Sequence, residues 1–247
     1  MTILFAALDH LAGLRHAGGG RDPDPAIAAA LAELAGAGGV SFTCRRDPSG
    51  VGERDLRLLR ELTRTALNAC LPPQEEFLKL ALDVRPDLVT LIPEGPEHPG
   101  VGRGLDMEDR RSELSPIIQT LRAAGIAVSV LLDPAPAQVK AAHRAGVDAV
   151  WLSTGGLSWV GDLAAHTAEF EGLVNAAKVG HKLRIAIHAG GGLGYQTVGA
   201  VARIQEIEAI HIGHSLIARA ALVGMGEAVR ELLRAMEGPA GPRTPAA

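Results

Sequence analysis

Short apolar runs alternate with helix-like stretches along the sequence, and most runs close on glycine or a polar residue. With a length of 247 residues, this pattern predicts an α/β fold: one (β/α)8 TIM barrel over residues 1–237. The remaining 238–247 are small and proline-rich and read as a disordered tail. Hydrophobic residues make up 47% of the chain and aromatic ones only 3%, so the core must be built from Ala, Leu, Val and Ile. That suits alanine-rich helices packed closely on a parallel sheet buried on both faces.

The elements follow in order. Ile3 to Leu8 reads as a buried first strand ending in Asp9-His10, and Asp24 before Pro25 caps a helix running to about Gly36. Gly39 to Thr43 is the second strand, followed by the charged loop Cys44-Arg45-Arg46-Asp47. A helix near Glu53 to Leu62, a weaker strand near Thr65 to Ala69 and a helix from Pro72-Pro73 to Asp83 come next. Leu88 to Ile92 is the fourth strand, and Pro93 to Leu105 is long enough to be a candidate lid. Asp109 to Gly125 is helical, Ile126 to Leu132 a strand, Pro136 to Gly146 a helix, and Ala149 to Ser153 a strand ending in Thr154-Gly155-Gly156. A helix from Gly161 to Gly180, with a break expected at Gly172, leads to strands at Leu183 to His188 and Ala209 to Ile212. Gly226 to Met236 is the closing helix.

The last two strands organise the functional reading. One ends in a loop with Gly190, Gly191 and Gly192 ahead of a helix, and the other in Gly213-His214 opening a helix. Glycine amides at a helix start favour an anion, and the loops after the last two strands of such a barrel are where a phosphate usually sits. The structural alternative is that these glycines only make tight turns.

A net charge of -4 provides no basic field, so neither nucleic acid nor an anionic membrane is an expected partner. Cys44 and Cys70 match no metal or disulfide spacing and fit a reducing compartment. No segment has the roughly 20 apolar residues of a membrane span. Met1 leads directly into a strand, and a cytoplasmic protein is expected.

Several motifs stand in one order: Asp9-His10 with Leu14-Arg15, Asp22-Pro23-Asp24-Pro25, Arg45 and Asp47, Arg54-Asp55-Leu56, Pro93-Glu94, Gly104-Leu105-Asp106, Thr154-Gly155 and Ile212-Gly213-His214. Together they resemble the pyridoxine 5′-phosphate synthase family, from Ile3 to about Met236. The resemblance implies a barrel with extra helices, homo-oligomeric assembly and two phosphorylated substrates, deoxyxylulose 5-phosphate and 3-amino-2-oxopropyl phosphate, condensed and cyclised without an organic cofactor. The positions matching the family's catalytic histidine, glutamate and second histidine are here Thr43, Asn68 and Gly191. None of these titrates near neutral pH, and losing one general acid or base typically costs on the order of 10²–10⁴ in rate. Family binding positions are also replaced, by Ala7, by Gly18 with Arg21 close by, by Gly50, and by Gly100 or Val101. Those that remain for a phosphorylated ligand are Asp9, His10, Arg45, Gly192, Gly213 and His214, with Arg45 offering a bidentate fork.

His188 and His211 stand where the family usually has asparagine. Period 2 puts His188 on the side of Ala186, where near a strand end it faces the barrel mouth; its alternative is a hydrogen-bonded buried histidine. His10 and His188 are therefore the candidate catalytic groups. Convergence of His10, His188, His211 and His214 on a metal has no supporting motif spacing, and no metal is expected. His16, His98, His143, His166 and His181 read as surface residues, Cys44 as a core residue rather than a thiolate, and Trp151 and Trp159 as packing. Two functions compete: a family enzyme with impaired or altered chemistry, and a non-catalytic relative that binds or regulates through a phosphorylated ligand.

Overall fold

The computed structural model describes residues 2–45, 50–95, 102–158 and 163–238. Eight parallel strands close into a barrel in sequence order. They are β1 (Ile3–Ala7), β2 (Gly39–Thr43), β3 (Ala66–Leu71), β4 (Leu88–Leu91), β5 (Ala127–Leu132), β6 (Ala149–Ser153), β7 (Ala186–Gly190) and β8 (Ala209–Ile212). The outer layer is α1 (Asp9–Gly18), α2 (Pro25–Leu34), α3 (Glu53–Leu62), α4 (Glu75–Val84), α5 (Arg111–Ala123), α6 (Pro136–Ala145), α7 (Leu163–Lys182), α8 (Val198–Ala202), α9 (His214–Val223) and α10 (Met225–Glu237). The expected TIM barrel with extra helices is what forms. Among the described residues no helix is long and apolar enough to cross a membrane.

Strand side chains alternate between two layers. Leu4, Ala6, Val40, Phe42, Leu67 and Ala69 belong to the large cluster between sheet and helices, and Cys70, Ile92, Leu131 and Trp151 form a separate one. Every residue of β2 is buried, as a parallel strand covered on both faces requires. Asp24 caps α2 by accepting the Ala26 N–H at 2.8 Å, as its place before Pro25 predicts.

Several boundaries differ from expectation. Asp9-His10 does not merely end a strand; it opens α1, whose apolar spacing is obscured by Gly13 and Gly18 and which buries only Leu11 and Ala12. β3 runs on to Leu71, so that Cys70 pairs with Thr43. β7 begins at Ala186, because Arg184 with φ 59 turns the chain out of α7, and it extends to Gly190, beside His211. Helix α7 passes through Gly172 unbroken. The expected lid lies partly outside the described residues, at 96–101, as do 46–49 of the charged loop and the tail beyond Gly238.

Candidate active site

Strands of a barrel open their functional groups at the C-terminal end, and here that end holds a cavity of about 300 Å³. Its walls include Asp9, His10, Gly192, His211, Gly213 and His214, with Cys70 and Trp151. A neighbouring groove of about 520 Å³ between α1 and α9 is lined by Thr43, Arg45 and Gly50. Asp9, His10 and His214 border both spaces, and the His10 and His214 rings lie 5.1 Å apart, centroid to centroid. All six residues expected to hold a phosphorylated ligand thus gather around two adjoining spaces.

Helix α1 is held at two points. The Asp9 carboxylate accepts the backbone N–H of Thr43 at the end of β2. One turn and more further along, Arg15 forms a bidentate pair with Asp55 of α3, at 2.8 and 2.6 Å. Asp55 also accepts the Gly52 N–H at 3.3 Å, and Arg15 holds its carboxyl below the usual carboxylate range.

The two glycine turns stand side by side, as β7 and β8 pair in parallel with Gly190 against His211. A Cβ on Gly190 would come within 2.6 Å of the His211 carbonyl oxygen, so only glycine allows this approach. Gly191 and Gly192 have φ of 108 and 70, in the left-handed region that favours glycine. Gly213 caps α9, a ten-residue helix whose first residues, His214 and Ser215, line the cavity with it. The other turn does not feed directly into a helix: α8 starts only at Val198 and has five residues. A Leu193-Gly194-Tyr195-Gln196 turn intervenes, pinned by the Gly194 N–H to Thr197 Oγ1 and by Tyr195 to the Ala228 carbonyl.

His188 does not reach the mouth. It lies behind His211, its Nδ1 3.1 Å from His211 Nε2, and His211 Nδ1 is 2.8 Å from Ser41 Oγ. The row continues with Asn68 Nδ2 donating to Ser41 Oγ at 3.3 Å and Thr90 donating to Asn68 Oδ1 at 2.9 Å. An assignment that satisfies this row, with the amide donating to Ser41, sends the serine proton to Nδ1 of His211 and the Nε2–H of His211 to Nδ1 of His188. Burial pushes the His188 imidazole down to about 4, and burial with the neighbouring His188 holds His211 well below its usual value. Both rings are neutral at pH 7. His211 is also sandwiched between Trp151, at 3.9 Å, and Phe5, at 4.6 Å. Trp151 thus packs inside the protein as expected, with an edge on the cavity wall.

Asn68, read as standing in the family acid's place, is fully buried and pairs with Ser41, below the rim. The β3 side chain at the cavity is Cys70, two residues on, which sequence reading missed by ending the strand at Ala69. Burial raises the Cys70 thiol, and burial with Asp9 nearby raises Cys44 to about 12, so neither is a thiolate at neutral pH. Thr43 is at the rim as expected, and its buried hydroxyl has no hydrogen-bond partner among the described residues. The four histidines resolve into two pairs, and among the described residues no three His, Cys, Asp or Glu side chains form a metal-holding group.

Comparison with known proteins adds to this geometry. The family model described as pyridoxal phosphate biosynthesis protein PdxJ matches residues 4–238. The pyridoxine 5′-phosphate synthase of Syntrophotalea carbinolica is 43% identical over 232 residues, covering 94% of this chain and 97% of its own. That of a Synechococcus strain is 42% identical over 236 residues, covering 96% and 99%. Among solved structures, a thiamine phosphate pyrophosphorylase from Pyrococcus furiosus superposes with a TM-score of 0.61 at 17% identity, covering 95% of each chain. A phosphoribosyl anthranilate isomerase from Thermus thermophilus gives 0.58 at 16%, covering 96% and 98%. These two likenesses are of fold alone.

Proposed function

The chain belongs to the family of the pyridoxal phosphate biosynthesis protein PdxJ, and from that premise we propose that its barrel mouth binds phosphorylated small molecules and performs the family condensation in an impaired or altered form. In this reading one phosphate rests on the amides of Gly192 and Gly213 beside His214, and Arg45, Asp9 and His10 hold the second partner. The substrates are those of the resemblance, deoxyxylulose 5-phosphate and 3-amino-2-oxopropyl phosphate. Homo-oligomeric assembly belongs to the same reading.

One observation carries the word "impaired". Around the cavity Thr43 and Gly191 offer no ionisable group, the Cys70 thiol is held neutral by burial, and His188 is spent on His211. Proton transfer falls to His10 and His214, the imidazoles that border both spaces. His188, expected as a second catalytic group, has its place in the barrel interior instead. The same observation favours a second reading, a non-catalytic protein that binds or senses a phosphorylated ligand.

The test pairs turnover with binding. Purified protein supplied with both substrates should form pyridoxine 5′-phosphate far more slowly than an intact relative while binding that product in a calorimetric titration. Turnover equal to an intact relative would overturn the impairment. Binding without turnover would select the second reading, and absence of binding would remove the ligand assignment altogether. Growth of a pyridoxine auxotroph lacking the family enzyme gives the same answer in cells.

A further inference from the structure

The residue after β6, Thr154, is 1% exposed and straps the β7 turn from the side. Its N–H donates to the Gly190 carbonyl at 3.0 Å, and its hydroxyl donates to the Gly191 carbonyl at 2.6 Å. Trp151 Nε1 donates to the same Gly190 carbonyl at 3.2 Å, so β6 grips two successive carbonyls of the turn. On its other side Thr154 is fixed by its own carbonyl, which accepts the Leu157 N–H at 2.9 Å and starts the short 3₁₀ turn Gly155–Ser158.

A trans peptide points its C=O and N–H in opposite directions. Pinning the Gly191 oxygen against Thr154 therefore turns the Gly192 N–H away from β6. Gly192 lines the cavity, and no group among the described residues accepts that N–H. At φ of 108 and 70, Gly191 and Gly192 have no side chain to hold this peptide plane in place. Without the hydroxyl, the plane is free to rotate and the amide loses its aim.

We propose that Thr154 is a positioning residue for the anion site: its hydroxyl holds the Gly191 carbonyl so that the Gly192 N–H stands ready for a phosphate oxygen. This rests on the reading of the cavity as a phosphate site. Thr154 itself touches no ligand and acts through the Gly191-Gly192 peptide.

The experiment compares wild type, Thr154→Val and Thr154→Ser by calorimetric titration with pyridoxine 5′-phosphate and with unphosphorylated pyridoxine. Thr154→Val should weaken the phosphorylated ligand by about tenfold, the worth of one well-placed hydrogen bond, and leave pyridoxine unchanged. Thr154→Ser should restore the wild-type affinity. Equal affinities in wild type and Thr154→Val, an equal loss for both ligands, or no recovery with serine would overturn the proposal. Should wild type not bind the phosphorylated ligand, the phosphate reading fails first and takes this inference with it. Where Thr154→Val does not fold, amide NMR of wild type decides. The Gly192 N–H should shift on adding pyridoxine 5′-phosphate and not on adding pyridoxine, and a silent Gly192 amide sinks the idea.

Discussion

His188 and His211 face each other inside the barrel, Nδ1 to Nε2 at 3.1 Å, and burial keeps both rings uncharged. The unfolded chain takes up protons on these histidines near the ordinary value of 6.5, whereas folded His188 does so only at about 4. Between those values the unfolded state binds more protons, so stability is complete above pH 6.5 and falls as pH drops towards 4. For His188 alone the full loss is about 3 kcal/mol. Urea unfolding between pH 7.5 and 4.5 should show this slope, and His188→Gln should flatten it; identical slopes in the two proteins would refute the assignment.

Thr43→His should raise turnover. It places an imidazole at the strand end where the family resemblance implies one, beside Cys70 and within the groove that holds Arg45. A restored general base is worth on the order of 10² or more in rate. Steady-state assay with both substrates checks this, and no gain in a properly folded variant would mean that the missing base does not limit the reaction.

If His10 and His214 carry the remaining proton transfers, His10→Gln and His214→Gln should each lower residual turnover by about 10² while leaving the fold intact by circular dichroism. A variant that loses only affinity would mark its histidine as a ligand contact instead.

Arg45→Ala should weaken binding of pyridoxine 5′-phosphate by at least about tenfold, because a charge-assisted contact is lost. Its slope against salt concentration should also become shallower. Isothermal titration at two salt concentrations checks both, and equal affinities would remove Arg45 from the site.

The Arg15–Asp55 pair ties α1 to α3 through a buried carboxylate and a partly buried guanidinium. Asp55→Asn should cost on the order of 2 kcal/mol at pH 7 by leaving the guanidinium partly unpaired. Because Arg15 depresses the carboxyl, this stability is present above the ordinary carboxylate range and is lost as pH falls through the lowered one. Thermal melts of Arg15→Ala, Asp55→Ala and the double variant should be non-additive; additive losses would mean that the two side chains act independently.

Much of this architecture was legible in the chain. Strands β2, β6 and β8 have the expected limits, because each is a short apolar run closed by Thr43, Thr154 or Gly213. Helix α1 was not, since its two glycines break the apolar spacing and its buried face is only Leu11 and Ala12. At the site, a motif read along one strand locates a rim residue such as Asp9 or His214. It does not say which inward residue meets which across the barrel. That depends on the stagger between strands, which places His211 rather than solvent in front of His188 and brings Cys70 rather than Asn68 to the cavity.

The row from Thr90 to His188 turns on one amide, which offers oxygen to the threonine and nitrogen to the serine. Exchange that nitrogen for oxygen, as in Asn68→Asp, and Ser41 would turn its proton towards the new carboxylate. His211 would then donate from Nδ1 to Ser41 and accept at Nε2 from Nδ1–H of His188, each ring changing tautomer while staying uncharged. The choice of a single terminal atom at Asn68, with no change of volume, thus decides which way the protons along the middle of this barrel point.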